Sequence, residues 1–173
     1  MVKLMIVDDE EQNLEWLQDL FEREGYEVMT AVNGIEALKK IEVNRPDLIL
    51  SDVLMPIMDG FALCRELKKA EHFQAIPFIF FSATYKDSQD EELAYKLGAV
   101  RFLRKPMRPE DIVKNIRDIL TESAKAKVSD RQSKKIDEDD FLREYSAIIS
   151  SKLVEKVSLL HDFRLIRNAL DFR

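Results

Sequence analysis

Short apolar runs alternate with amphipathic segments through the first 120 residues. Each run is rich in β-branched, aromatic or leucine side chains, which is typical of buried strands. The segments between them carry apolar residues three or four positions apart, which is typical of helices that bury one face. The runs are residues 4–7, 26–32, 48–50, 78–81 and 100–103. The helical positions are Leu14, Leu17 and Phe21; Ile35, Leu38 and Ile41; Phe61, Cys64 and Leu67; Leu93 and Leu97; Ile112, Ile116 and Leu120.

This alternation predicts an α/β domain, residues 1–121, with five strands and five helices. Strands that alternate with helices are joined by right-handed crossovers, so we expect a doubly wound parallel sheet with helices on both faces. All four glycines and all five prolines precede residue 110, which indicates that the domain ends soon afterwards.

The rest of the chain is predicted to form a polar linker, residues 122–137, and one amphipathic helix, residues 138–173. Its apolar positions from Leu142 to Leu170 recur about every 3.5 residues, as in a coiled coil. Lys152 and Lys156 interrupt a strict heptad. Two alternatives therefore stay open: a homodimer through this helix, which we favour, and packing of the helix against the first domain. The apolar positions are Phe141, Leu142, Tyr145, Ile149, Leu153, Val157, Leu160, Phe163, Ile166 and Leu170.

Composition and charge narrow the class of protein. With 46% hydrophobic and 35% charged residues, the chain of 173 residues fits a folded domain. We find neither a signal peptide nor an apolar run long enough to span a bilayer, so we expect a cytoplasmic protein without a membrane partner. The first 120 residues carry a net charge of −7 and the last 53 carry +1, a poor fit to a nucleic-acid-binding module. We expect no nucleic-acid partner.

Polar residues that could form a functional site follow the predicted strands, at the carboxyl ends where open parallel sheets bind their ligands. Asp8 and Asp9 follow the first strand, Asp52 the third, Ser82 the fourth and Lys105 the fifth. Carboxylates held close together repel each other unless a cation neutralises them, and hard oxygen ligands favour Mg²⁺. Together with an ammonium and a hydroxyl, these groups suit phosphoryl transfer, in which a carboxylate itself can be the acceptor.

Four motifs in this order resemble the receiver domain of two-component response regulators. The resemblance covers residues 1 to about 121 and implies a CheY-like, flavodoxin-like sheet with strand order 2-1-3-4-5. The motifs are Ile6-Val7-Asp8-Asp9, Asp52-Val53-Leu54-Met55-Pro56-Ile57-Met58-Asp59-Gly60, Ser82-Ala83 and Gly98-Ala99-Val100-Arg101-Phe102-Leu103-Arg104-Lys105-Pro106.

The resemblance implies that Asp52 accepts a phosphoryl group from the phosphohistidine of a sensor histidine kinase or a phosphotransfer protein. Mg²⁺ would be bound by Asp9 directly, by Asp8 partly through water, by Asp52, and by the backbone carbonyl of Leu54.

Three further roles follow from the same resemblance. Lys105, before a cis bond to Pro106, would pair with the phosphoryl oxygens. Ser82 would reach toward them with its hydroxyl, and Phe102 would be the aromatic switch residue that turns inward when Ser82 moves.

Two functions stay open. One is a phosphorylation-controlled switch whose output is protein binding or dimerisation, with no turnover beyond its own phosphorylation and dephosphorylation. The other is the receiver-plus-linker piece of a multidomain hybrid histidine kinase, because residues 139–157 resemble the helix that follows receivers in such kinases. Val100 and Arg101 stand where many dimerising receivers carry acids, so the charge network of those dimers is in doubt here.

Overall fold

The structure is a computed structural model that describes residues 1–83, 88–126 and 137–171, with side chains up to residue 158 except that of residue 126. Strands and helices alternate along these ranges as the sequence pattern predicts. The strands are β1 Lys3–Val7, β2 Glu27–Ala31, β3 Leu48–Ser51, β4 Phe78–Ser82 and β5 Arg101–Arg104. The helices are α1 Glu11–Arg23, α2 Gly34–Val43, α3 Gly60–Lys69, α4 Ser88–Lys96, α5 Pro109–Ala126 and α6 Glu138–Asp171.

The five strands form one parallel sheet with the order β2-β1-β3-β4-β5. This confirms the predicted doubly wound, flavodoxin-like fold. The strand ends lie within one residue of the predicted ones. Because all strands are parallel, their carboxyl ends meet at one edge of the sheet, and that edge carries the candidate chemistry.

Alternate residues of each strand face opposite sides of the sheet, so each strand contributes to two layers of core. On one side, Leu4 and Ile6 of β1 pack in a cluster that includes Phe21 of α1 and Ile116 of α5. On the other side, the ring of Phe80 in β4 packs against aromatic side chains at centroid distances of 4.9–5.6 Å: Phe61, Phe78 and Phe102.

The buried face of α2 differs from the predicted stripe. Ile35 is exposed, and the helix buries Gly34, Ala37 and Ile41 instead. A Cβ atom at Gly34 would lie 2.5 Å from Cγ of Met58. The prediction for Ile35 is wrong because α2 turns its small residues toward the loop that follows β3, and this close approach leaves no room for a larger side chain.

The chain divides into two compact units, Met1–Ile136 and Asp137–Arg173. In the first unit, α5 continues through residues 122–126 of the predicted linker, and residues 127–136 lie outside the described ranges. The second unit contains α6, which confirms the predicted long helix. The apolar positions predicted beyond residue 158 lie outside the described side chains. Among the helices that the structure describes, none is both long and apolar enough to cross a membrane.

Candidate functional site

The acidic residues converge because β1 and β3 are neighbours in the sheet. Val7 lies opposite Ser51, and the backbone N–H of Asp52 donates to the carbonyl of Val7 at 2.8 Å. The carboxylates that follow the two strands therefore share one edge. One oxygen each from Asp8, Asp9 and Asp52 lies within 4.8 Å of the others.

Asp8 is almost completely buried and accepts several hydrogen bonds. Its Oδ1 accepts from the backbone N–H of Glu10 at 2.9 Å, and its Oδ2 lies 2.7 Å from Nζ of Lys105. The side-chain amide of Asn13 donates to both oxygens, at 3.4 and 3.2 Å. The N-cap of α1 is Glu10, so Asp8 does not serve as that helix's cap. A buried carboxylate needs such donors because burial removes it from water.

Lys105 lies between two of the carboxylates. Its backbone N–H donates to the carbonyl of Ser82 at 2.9 Å, and its bond to Pro106 is cis, as the resemblance implies. The ammonium is 2.7 Å from Oδ2 of Asp8 and 3.9 Å from Oδ2 of Asp52. This one ammonium therefore offsets part of the charge of both carboxylates.

The pKa of Asp52 is raised from 3.8 to about 6. Burial is the main cause, and the negative charge of Asp8 adds to it. The charge of Lys105, a hydrogen bond with the hydroxyl of Ser82 and the backbone N–H of Val53 act in the opposite direction. At pH 7 and above, most Asp52 side chains are ionised, as a nucleophilic carboxylate must be.

The other predicted site residues lie close to the cluster in the fold. Leu54 is buried in the loop after Asp52, and Ser82 is buried at the end of β4. Phe102 is buried on β5, and its ring stacks on Phe80 with a centroid distance of 5.6 Å. Phe102 therefore points inward in this structure. Its role as a switch and the role of the Leu54 carbonyl stay predictions.

The donors of the cluster suit a hard divalent cation. Each of the three aspartates can offer a carboxylate oxygen, and such oxygens are ligands that Mg²⁺ prefers over the softer metals. The repulsion among the three carboxylates would be reduced by the same cation. The residues present therefore fit the magnesium site that the sequence predicts.

The family model described as "Response regulator receiver domain" matches residues 4–117. The chain belongs to this family. Response regulators interact with sensor histidine kinases or phosphotransfer proteins, and receiver domains bind Mg²⁺ at an acidic pocket.

Several relatives show how far the likeness extends. The chain is 40% identical over 122 residues to the alkaline phosphatase synthesis transcriptional regulatory protein PhoP of Bacillus subtilis, which corresponds to 70% of this chain and 49% of that protein. It is 35% identical over 125 residues to the response regulator SaeR of Staphylococcus aureus, which corresponds to 72% of this chain and 53% of that protein. The chain thus spans about half the length of these curated relatives.

Solved structures support the same fold. One is the signal receiver domain of a signal transduction histidine kinase from Syntrophus aciditrophicus, which is 33% identical with a TM-score of 0.66 over 79% of this chain and 98% of that one. Another is a CheY-like response regulator receiver domain protein from Methanospirillum hungatei, which is 30% identical with a TM-score of 0.68. The match covers 72% of this chain and 98% of that one.

The sequence pattern did not predict a site role for Asn13. This residue is half-buried at the third position of α1 in the receiver, immediately before the buried Leu14. Its amide also donates to Oε2 of Glu10 at 3.2 Å. The available signal was a polar residue next to the buried face of a helix that starts beside the acidic cluster.

The loop between β3 and α3 holds the receiver's central aspartate in place through its backbone. A Cβ atom at Gly60 would overlap the carbonyl oxygen of Asp52, so this position requires glycine. Asp59 caps α3 by accepting a hydrogen bond from the backbone N–H of Ala62 at 2.9 Å. Ile57 has a φ of 70°, which is unfavourable for a β-branched residue.

Proposed function

We propose that this receiver is a phosphorylation-controlled switch in which Asp52 accepts a phosphoryl group from a phosphohistidine. The donor is a sensor histidine kinase or a phosphotransfer protein. The observation that carries the proposal is the position of the Lys105 ammonium between Asp8 and Asp52, beside a third carboxylate. This arrangement provides a nucleophile together with a fixed positive charge for the incoming phosphoryl oxygens.

The transfer step uses one carboxylate oxygen of Asp52 as the nucleophile. That oxygen forms a bond to phosphorus while the bond between phosphorus and the donor's imidazole nitrogen breaks. The electron pair of the broken bond stays on the nitrogen, which takes up a proton. Lys105 balances the charge on the phosphoryl oxygens, and the Ser82 hydroxyl is the hydrogen-bond donor on the other side.

The cation site supports this step. Asp8, Asp9, Asp52 and the backbone carbonyl of Leu54 would hold Mg²⁺. The bound ion supplies charge neutralisation for the crowded carboxylates and for the phosphoryl oxygens. Asp8 is held by the ammonium of Lys105, by the side-chain amide of Asn13 on α1 and by the backbone N–H of Glu10.

The proposal is tested by labelling the protein with a small acyl phosphate in the presence of MgCl₂. We expect intact-protein mass spectrometry to show the addition of a single phosphoryl group, and no addition when EDTA replaces the metal. The variant Asp52→Ala should not be labelled. The exposed Asp19 on α1, which pairs with Arg23, offers a matched control, and Asp19→Ala should be labelled like the wild type. Full labelling of Asp52→Ala would contradict the assignment.

The output that we propose is protein interaction or dimerisation. Ser82 and Phe102 would carry the change, because Ser82 hydrogen-bonds to Asp52 at the end of β4 and Phe102 lies on the neighbouring strand β5. The exposed apolar side chains of α6 are candidates for contact with a second copy of the chain: Leu142, Leu153, Val154 and Val157.

A second candidate function is the input end of a hybrid histidine kinase. The observation that favours it is the match to the receiver domain of the Syntrophus aciditrophicus kinase, which covers 79% of this chain, more than the 72% of the Methanospirillum hungatei protein. The coding sequence downstream of Arg173 discriminates between the two functions, because a kinase requires an ATP-binding module there.

A further inference from the structure

The side chain of Asn13 belongs to the surroundings of the acidic cluster. Its Nδ2 donates to Oδ1 and Oδ2 of Asp8 at 3.4 and 3.2 Å, and to Oε2 of Glu10 at 3.2 Å. A single amide therefore spans two carboxylates. It is a neutral group among charged ones, so it orients Asp8 without adding a positive charge that would repel a cation.

The other donors to Asp8 hold only one oxygen each. The backbone N–H of Glu10 contacts Oδ1, and Nζ of Lys105 contacts Oδ2. Rotation of the carboxylate about its Cβ–Cγ bond would change both distances to Asn13 at once. Asn13 thus contacts both oxygens of the Asp8 carboxylate, and its amide adds to the restraint on the carboxylate plane from the two shorter hydrogen bonds.

Groups that orient a metal ligand affect metal affinity although they do not touch the ion. Loss of such a partner typically lowers affinity by about 10- to 100-fold. Asp8 is 2% exposed, so water has little access to replace a lost hydrogen bond. If the Asp8 carboxylate loses its fixed orientation, it must be ordered again when the cation binds, and this lowers the affinity for the cation.

We propose that Asn13 is a positioning residue that sets the Mg²⁺ affinity of this receiver by holding the Asp8 carboxylate in its binding orientation. The inference rests on the proposed function, since it concerns the same cation site. Asn13 contacts neither the cation nor the phosphoryl group in this proposal, and it acts through Asp8 alone.

The test is isothermal titration calorimetry of the full chain with MgCl₂ after removal of metal with EDTA. We expect Asn13→Ala to raise the dissociation constant about tenfold. Asn13→Leu, which keeps the branched heavy-atom skeleton but removes the amide, should have the same effect. The control is Gln12→Ala, because Gln12 precedes Asn13 on α1 and is exposed; it should bind like the wild type.

A second measurement separates positioning from a general loss of stability. The initial rate of labelling by an acyl phosphate should fall in Asn13→Ala at low MgCl₂ and return to the wild-type rate when MgCl₂ is raised about tenfold. A reduced rate that added metal does not restore would overturn the inference, because the damage would then lie outside the cation site.

The outcomes also separate this inference from the proposed function. If the wild type and Asn13→Ala bind Mg²⁺ with equal affinity, the role of Asn13 is refuted while the phosphoryl-acceptor site stands. If the wild type itself does not bind Mg²⁺, both are refuted. A tenfold loss in both Asn13 variants, with unchanged binding in Gln12→Ala, supports both.

Discussion

The ammonium of Lys105 lies 2.7 Å from Asp8, closer than to any oxygen of Asp52, for which the ion-pair distance is 3.9 Å. The neighbour of the acceptor therefore has the stronger ion pair. Asp52 keeps only part of the cation's stabilisation, and burial dominates its pKa. In the metal-free protein, the ionised form of Asp52 is consequently a cost to the stability of the fold.

Replacement of this carboxyl by a neutral amide should stabilise the metal-free protein. The folded pKa of Asp52 is about 6 and the ordinary value is 3.8, so the native state binds the proton more tightly than the unfolded state. Stability then falls as the pH rises through this window. We expect Asp52→Asn to raise the free energy of unfolding by about 2–3 kcal/mol at pH 8, measured by urea denaturation in EDTA.

The pH dependence of the free energy of unfolding tests whether the buried charge of Asp52 causes the difference. The advantage of Asp52→Asn should shrink between pH 6 and pH 4, because the native carboxyl takes up its proton in this range while the unfolded carboxyl is still largely ionised, so the wild type gains stability. Asp19→Asn, at an exposed position of α1, should leave the stability unchanged across the series. A difference at pH 4 as large as that at pH 8 would mean that burial of the charge is not its source.

Gly60 lies so close to the backbone of Asp52 that no side chain fits at this position. A side chain there would overlap the carbonyl oxygen of Asp52, so Gly60→Ala must displace the β3–α3 loop. Overpacking of this kind costs about 1–3 kcal/mol. We expect Gly60→Ala to lose that stability in urea denaturation and also to lose most of its labelling by an acyl phosphate, since the displaced backbone carries the nucleophile.

Gly25 offers the matched comparison. Its φ is +87°, but a Cβ atom there would have nothing within 4 Å. Gly25→Ala should therefore cost about 1–2 kcal/mol through backbone strain alone, with labelling at the wild-type level. Equal loss of labelling in both variants would show that reduced stability, and not the position of Asp52, explains the effect at Gly60.

The parallel sheet and the convergence of the acidic residues followed from the sequence pattern, because both depend on the alternation of strands and helices, whereas the strand order followed from the family resemblance. Alternating strands and helices give parallel strands, and parallel strands bring Asp8, Asp9 and Asp52 to one edge. The position of Ser82 followed from the strand ends, and the cis Lys105–Pro106 bond followed from the family resemblance. These features tolerate small errors in geometry, because a shift of one residue at a strand end leaves the edge unchanged.

Features that depend on side-chain contacts across the fold could not be predicted from the sequence. The exposed Ile35 had the right spacing for a core position, yet the close approach of Met58 to Gly34 decides which face of α2 is buried. Lys105 lies about 1 Å closer to Asp8 than to Asp52, and Asn13 lies within hydrogen-bond distance of Asp8, which only the three-dimensional packing decides. Periodicity carries no information at that scale.

Ile57 stores strain in the loop between β3 and α3. Its φ is 70° and its side chain is 82% exposed, so burial of the side chain gives little compensation. The left-handed conformation costs about 1–2 kcal/mol. Glycine relieves this strain, but it lowers the stability by about 0.5–1 kcal/mol because its unfolded chain is more flexible. We expect Ile57→Gly to raise the free energy of unfolding by about 0.5–1 kcal/mol in urea denaturation.

The exposed Val43 at the end of α2 controls for the loss of a β-branched side chain. Val43→Gly should lower the stability, because this residue has a helical conformation and glycine is a weak helix former. A stability of Ile57→Gly at or below that of the wild type would indicate that Ile57 makes favourable contacts that outweigh the strain.

The apolar side chains of α6 should govern self-association. Leu153 is 52% exposed, and a charge placed there would have to be buried in an interface between two copies of the helix. We expect light scattering after size exclusion to give the mass of a dimer for the wild type with MgCl₂ and beryllofluoride, a phosphoryl mimic. Leu153→Glu should give the mass of a monomer, while Ser151→Glu, at an exposed position on a different face of α6, should behave like the wild type. A dimer that persists in Leu153→Glu would exclude this helix face as the interface between the two copies.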